Sequence, residues 1–419
     1  MREWGWGVML IAWLCLPWPG VWADADAAPD PEPADWPSTI ARLQQQAQLH
    51  PGLAHARQQL ATAYNNYGVS LGQQGQWELA ARQLEEAIRL DDGNQQFLEN
   101  LSNSYLHQAH DAYQQQRLTE AAEVAEKALA LTPESAQAYS LLGEIEYARQ
   151  RLKEAKAAWQ RAVELDPNQP TVAKRLQQVS EELPVESKFE RLSQASFDLR
   201  YEEQLERPVG FDIRDALLEA RRSVGSDFAY WPSHQIVVLI YSAESFRALR
   251  EETPEWVAGQ FDGKIRVPLP SAQLNQVAVK QILFHEYTHA LIHDLTSGAC
   301  PTWLNEGLAE YEGRTQLAGT VEHLAAASRE QRLIPWGELS NHLSTTLPAE
   351  EVALAYEQSY SIVAYLVERY GFWRIRRVLK ATGEGQAWEQ VLSQEYRMKP
   401  PRLEAVWREW LPQFLSGPR

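Results

Sequence analysis

Two histidines stand four residues apart in the stretch HEYTHALIHDL, His285 to Leu295, with Glu286 beside the first. On an α-helix, residues at that spacing share one face. His285 and His289 can therefore offer their imidazoles to a single ion at zinc–nitrogen distances of roughly 2.0–2.1 Å. Glu286 is displaced around the helix, which suits it to take a proton from water at the ion rather than to hold the ion itself. Two imidazoles do not complete such a site, and a third ligand is required.

Two places could supply it. A glycine turn leading to a third histidine six residues past His289 would complete one pattern, but Ile292 and Leu295 occupy those positions. His293 stands one more turn along, too far up the axis to join both histidines, and reads as a helix C-cap or a polar surface residue. The second place is PTWLNEGLAEYEG, residues 301–313, in which Glu306 follows His289 by seventeen residues. A helix starting after Pro301 and running back through the short connection TSGAC would carry Glu306 to the histidines. A His-His-Glu set leaves the fourth zinc position open to water, as catalysis requires. Glu310, one turn on, is placed to accept the free N–H of a ligand histidine and fix its tautomer. Cys300 reads as an inert buried thiol.

The elements that must position these residues follow from the surrounding pattern. FDLRY (197–201) and QIVVLIY (235–241) read as strands around an amphipathic helix at 210–228. GQFDGKIRVPLP (259–270) reads as a turn feeding a short strand, with Pro268 and Pro270 favouring a sheet edge. The zinc helix reads as half-buried, and more helices follow to the C-terminus. A small sheet followed by helices is an α+β pattern.

Upstream, the chain repeats itself. GQWELAARQLEEAIRLDDGN (75–94), QRLTEAAEVAEKALALTPES (116–135) and QRLKEAKAAWQRAVELDPNQ (150–169) align at Ala80, Ala121 and Ala155, again at Ala87, Ala128 and Ala162, and at the turn residues Asp92, Pro133 and Pro167. The last two copies lie 34 residues apart and the first two 41, so a helix or connection differs there by about two turns. This period resembles the tetratricopeptide repeat, with Tyr64, Tyr67 and Gly68 ahead of the first copy and Tyr139, Leu142 and Gly143 ahead of the third. About three repeats and a capping helix over 38–183 make an α-solenoid whose concave surface would bind a peptide or protein partner.

The 419-residue length calls for more than one domain. Apolar residues at 44% and charged residues at 23% are those of a globular protein, and the net charge of −17 argues against nucleic acid and against adhesion to an anionic membrane. Residues 1–23, with Arg2 before an apolar run ending in Val21-Trp22-Ala23, read as an export signal. A membrane role arises only if that segment stays on as an anchor. Residues 24–37 read as an acidic Pro/Ala linker, and 184–419 as the metal-binding domain. With the signal removed, Cys300 is the sole cysteine, so stability must come from packing rather than disulfides.

HEYTH followed by WLNEGLAEY resembles the gluzincin zinc metallopeptidases, and among them the exported peptidase-MA-like domain family that often carries tetratricopeptide repeats. The strand-helix-strand lead, GQFDGKIRVP and the later YEQSYSIVAYLVERYG (356–371) extend the likeness over about 185–380. The resemblance implies a thermolysin-like α+β fold binding one Zn2+, with His285, His289 and Glu306 as ligands and Glu286 as general base. It also implies a tyrosine from a later helix at the tetrahedral oxyanion. Tyr356 and Tyr360 stand one turn apart, and Tyr360 is preferred. The GQFDGKIRVP strand would line the cleft and pair with an extended substrate. Where the aminopeptidase branch has Gly-x-Met-Glu-Asn, this chain has Gly259-Gln260-Phe261-Asp262-Gly263, which lacks the glutamate and favours endopeptidase action. The expectation is a periplasmic or secreted zinc metallopeptidase cleaving peptide or protein substrates, with repeats that recruit substrate or partner. The alternative is a non-catalytic repeat adaptor with an inactive, zinc-binding peptidase-like domain.

Overall fold

The computed structural model describes residues 7–10, 35–50, 53–203, 207–249, 257–269, 276–316, 319–344 and 346–416. Apart from Gly7–Leu10, the expected export signal and the linker up to residue 34 lie outside the described residues. The chain divides into two compact units, one ending at Leu183 and the other running from Pro184 and including Gly7–Leu10.

The first unit is built from eight helices: α1 (Trp36–Leu49), α2 (Ala54–Gln73), α3 (Trp77–Leu90), α4 (Gln95–Gln114), α5 (Leu118–Leu131), α6 (Ala136–Ala148), α7 (Leu152–Leu165) and α8 (Pro170–Glu186). Asn94 and Ser135 start α4 and α6 by accepting hydrogen bonds from Phe97 N–H and Ala138 N–H. The repeating alanines sit where paired helices meet. Ala80, Ala87, Ala121, Ala128, Ala155 and Ala162 are all fully buried. Gly143 shows how close the approach is, because a Cβ there would lie 2.4 Å from the Trp159 ring. The seven-residue irregularity of the repeat also finds its place. Helices α3 and α5 are both 14 residues long, whereas α4 has 20 and α6 has 13, so two extra turns of α4 account for it.

The second unit holds a mixed sheet. Its strands are β1 (Gly7–Leu10), β2 (Glu190–Ser193), β3 (Phe197–Tyr201), β4 (Ile236–Ser242), β5 (Val257–Phe261) and β6 (Ile265–Leu269), in the order β1-β5-β6-β4-β3-β2. Strands β3, β4 and β6 run parallel, and β5 returns antiparallel to β6. The continuous apolar run of β4 is explained by burial on both faces. Val238 and Ile240 join the main core, while Leu239 and Tyr241 pack with Phe246 on the opposite side.

Strand β6 is interior, which corrects the edge position expected from its prolines. The expectation survives locally, because the β5 pairing stops at Gln260 and Arg266. Beyond that point no β5 residue is matched to Pro268, so the β5 side of the ladder asks no N–H of it.

Helices make up the rest of this unit. They are α9 (Arg207–Phe228), α10 (Ala243–Leu249), α11 (Gln276–Thr296), α12 (Thr302–Arg314), α13 (Glu322–Arg329), α14 (Ala349–Tyr370), α15 (Phe372–Gly383), α16 (Trp388–Tyr396) and α17 (Pro400–Ser416), with a short 3-10 turn at Leu339–His342. Of these, α9, α10, α11 and α14 lie against the sheet. The zinc-motif helix α11 is buried on every side from Gln281 to Ile292, not on one face as expected. It is packed against α9, α12, α15 and strands β5 and β6 at once, so little of it remains for solvent. Among the described residues no helix is long and apolar enough to cross a membrane.

Candidate metal centre

Helices α11 and α12 meet as an antiparallel pair. The connection turns at Ser297 and Gly298, both with positive φ (49° and 78°), a backbone conformation that ends α11 within one residue of its last turn. Pro301 then opens α12, where its lack of an N–H is harmless. Gly307 lets α12 press against α14, because a Cβ there would lie 2.6 Å from the Ser359 carbonyl oxygen.

This pairing brings His285, His289 and Glu306 together, with candidate ligand atoms all within 4.8 Å of one another. Glu306 Oε2 lies 3.6 Å from His285 Nε2 and 3.4 Å from His289 Nε2. All three atoms are buried and none has a hydrogen-bond partner. Three polar atoms facing one another without partners would be costly in a closed core. A dication accepting all three lone pairs removes that cost, and an N,N,O donor set is suited to zinc. His293 is not part of this group. It is half-buried against Phe261, ring centres 5.6 Å apart, and its desolvation lowers its pKa.

The outer nitrogen of each histidine is also held. His289 Nδ1 lies 3.0 Å from Asn305 Oδ1, and His285 Nδ1 lies 3.4 Å from Glu310 Oε1. Oxygen acceptors at both outer nitrogens set both tautomers with Nε2 unprotonated and turned inward. Glu310 was anticipated for this purpose from its spacing, whereas Asn305 was missed. Its signal was its place next to Glu306, on the turn that faces His289.

Glu286 occupies its own niche. It is fully buried, and neither carboxylate oxygen has a hydrogen-bond partner. Burial lifts its pKa to about 7, against the pull of His289 and His285. Strand β5 passes so close that a Cβ on Gly259 would lie 2.4 Å from Glu286 Oε1. Only glycine fits without moving one of them. Glu306 shows the opposite balance: burial would raise its pKa, but His289 and His285 hold it below the ordinary carboxylate value.

Tyr360 sits on the far side of Glu310 from His285, next to Arg314. Its ring carries the Arg314 guanidinium at 4.4 Å and packs against Tyr311 and Phe414. Arg314 in turn binds Glu310, so this ring sits on the Nδ1 side of His285. Tyr356, one turn earlier on α14, is buried.

Residues 253–413 match the Peptidase MA superfamily, and residues 68–108 and 106–170 match the tetratricopeptide repeat. No curated protein matches the chain. Similar solved structures include the Arabidopsis OM64 TPR domain, at 21% identity over 29% of this chain and 96% of that one with a TM-score of 0.24. Another is the first TPR of Spaghetti (RPAP3) bound to HSP90 peptide SRMEEVD, at 25% identity over 30% and 94% with a TM-score of 0.24. MamA is similar at 16% identity over 36% and 80% with a TM-score of 0.23. The chain joins tetratricopeptide repeats to a Peptidase MA superfamily domain. That superfamily is generally zinc-dependent, and TPR domains typically bind protein partners or peptides.

Proposed function

We propose that this chain is an exported zinc metallopeptidase of thermolysin-like build, acting as an endopeptidase on protein or peptide substrates gathered through its repeats. The observation that carries the reading is the set of three buried, partnerless ligand atoms on His285, His289 and Glu306, with the partnerless Glu286 carboxylate beside them. A structural zinc site would close with a fourth protein ligand and would have no use for a free carboxylate next to it.

Zinc in this site supplies Lewis acidity, polarising a peptide carbonyl and acidifying water. The chain's residues do the rest. Glu286, with a pKa near 7 set by burial, takes a proton from the attacking water and passes it to the departing amine. Asn305 and Glu310 hold the histidine rings in place. A tyrosine hydroxyl of α14 steadies the oxyanion, and the seating of the Tyr360 ring on Arg314 makes Tyr356 the first alternative to test. Strand β5 binds extended substrate along its outer edge. That edge is competent for strand pairing, since Gly7–Leu10 pairs with it here in parallel. Removal of residues 1–23 on export to the periplasm or beyond would open it to substrate.

The test compares the purified wild type with Glu286→Gln. Wild type is expected to hold one zinc per chain and to cleave members of a broad library of N-acetylated peptides. The variant should keep the zinc and lose cleavage by about 10²–10⁴-fold. A wild type that binds zinc yet cleaves nothing would leave the adaptor reading in its place.

A further inference from the structure

Arg314 closes the last turn of α12, four residues after Glu310. Its Nε lies 2.8 Å from Glu310 Oε2, and both side chains are nearly buried, 11% and 6% exposed. Three further contacts hold the guanidinium. Its Nη1 donates to the Thr320 carbonyl oxygen at 3.1 Å, its plane rests on the Tyr360 ring at 4.4 Å, and Gly319 approaches so closely that a Cβ there would lie 2.6 Å from Nη1. Glu310 Oε1 then faces His285 Nδ1.

We propose that Arg314, seated on Tyr360, is a positioning residue for the metal centre: it pins the Glu310 carboxylate against His285 so that His285 Nε2 is held toward the ion. The proposal rests on the zinc reading above.

The two ligand histidines show why an arginine is needed on one side only. His289 is held by Asn305, a neutral amide that can be buried without a counter-ion. His285 is held by a carboxylate, and a buried carboxylate without a cation is expensive. The Arg314 guanidinium, with Nε 2.8 Å from Glu310 Oε2, supplies that cation directly. The charges also balance. The carboxylates of Glu286, Glu306 and Glu310 are matched by a dication and the guanidinium. Lysine cannot replace this arrangement, because the planar fork reaches Glu310 with Nε and Thr320 with Nη1 while its face lies on an aromatic ring.

The test uses the full chain as wild type, Arg314→Ala, Arg314→Lys, Glu310→Gln and the Arg314→Ala/Glu310→Gln double variant. Zinc affinity is read by competition with a chromophoric chelator, the metal-free fold by circular dichroism, and kcat separately from KM on one cleaved peptide. Arg314→Ala and Glu310→Gln are each expected to weaken zinc about 10- to 100-fold, with kcat falling and KM little changed. Arg314→Lys, which keeps the charge and most of the packing, should recover only part of the loss.

The decisive outcome is the double variant, which should bind zinc no more weakly than the worse single variant, because both act through the same contact. Independent, additive losses would mean that Arg314 acts only on folding, and would overturn the proposal. So would Arg314→Ala and Arg314→Lys binding zinc within twofold of wild type. A wild type that binds no zinc at all would instead refute the underlying metallopeptidase reading, and this proposal with it.

Discussion

The two units differ most in the buried charge gathered at their centres. In the solenoid, buried charge is matched within a helix or across a pair. Glu146 meets Arg149 at 2.6 Å, and Glu182 accepts from Tyr147 Oη at 2.8 Å and from Gln178 Nε2 at 2.9 Å. The rest of its interior mixes alanine with leucine and aromatic residues, and its buried Asn100 donates to Asn65 at 2.8 Å. In the peptidase unit, by contrast, Glu286, Glu306, His285 and His289 meet in the core with atoms that no protein group satisfies. The solenoid pairs its central charges within the protein, whereas the centre of the Peptidase MA domain holds four ionisable side chains whose facing atoms the protein leaves unpartnered. Residues that reduce stability there are the residues that can do chemistry.

Removing the metal is the most severe way to break this contrast. A ligand present at about a thousand times its dissociation constant stabilises the folded state by about 4 kcal/mol. Chelation should therefore speed amide hydrogen exchange in α11 and α12 strongly, while α2 to α7 exchange at unchanged rates. Equal loss of protection in both units would show that the solenoid is not self-sufficient.

A change in the solenoid sharpens the contrast from the other side. Gly143→Ala drives a methyl group into the Trp159 ring, where the gap is already closed, and overpacking of this kind costs about 1–3 kcal/mol. The expected result is a lower melting temperature for the repeats, read by tryptophan fluorescence. Zinc affinity and cleavage of short peptides, which need no recruitment, should stay at wild-type values. A parallel loss of zinc would contradict the separation of roles.

Much of this arrangement was legible in the residues alone, because it depends on spacing. His285 and His289 face one way since they are four apart on a helix, and the short TSGAC connection leaves Glu306 little choice but to return beside them. The repeat was legible for the same reason, since alanine at a fixed period marks helix contacts. Its seven-residue irregularity was visible too, but the difference between a longer helix and a longer connection is settled only by packing. What spacing cannot show is contact between distant segments. Arg314 reaches Glu310 by an ordinary helical interval, but its seat is Tyr360, on another helix. Asn305 is an uncharged amide, and nothing in its own chemistry distinguishes it from a surface residue. The burial of α11 was underestimated because the polar residues of a metal site mimic a solvent-facing stripe. Pro268 suggested an edge because a proline lacks a donor, whereas β5 simply stops short of it.

The smallest effect concerns a buried acid that the chemistry does not use. Glu312 lies two residues beyond Glu310 on α12, fully buried, and neither carboxylate oxygen has a hydrogen-bond partner. Burial lifts its pKa to about 8 from an ordinary 4.5, with the nearby Asp227 adding to the effect. The direction of the consequence follows from proton counting. Between pH 4.5 and 8 the folded chain keeps a proton here that the unfolded chain has released, so this group's contribution to stability falls as pH rises across that window. Glu312→Gln retains the shape and cannot ionise. Its unfolding free energy from urea curves should therefore match wild type near pH 5 and exceed it increasingly up to about pH 8, by about 1–2 kcal/mol at the plateau, allowing for relaxation around the ionised form. Parallel curves for the two proteins would mean that Glu312 already has a partner for its charge. In that case the contrast between the two units would narrow to the metal ligands and Glu286 alone.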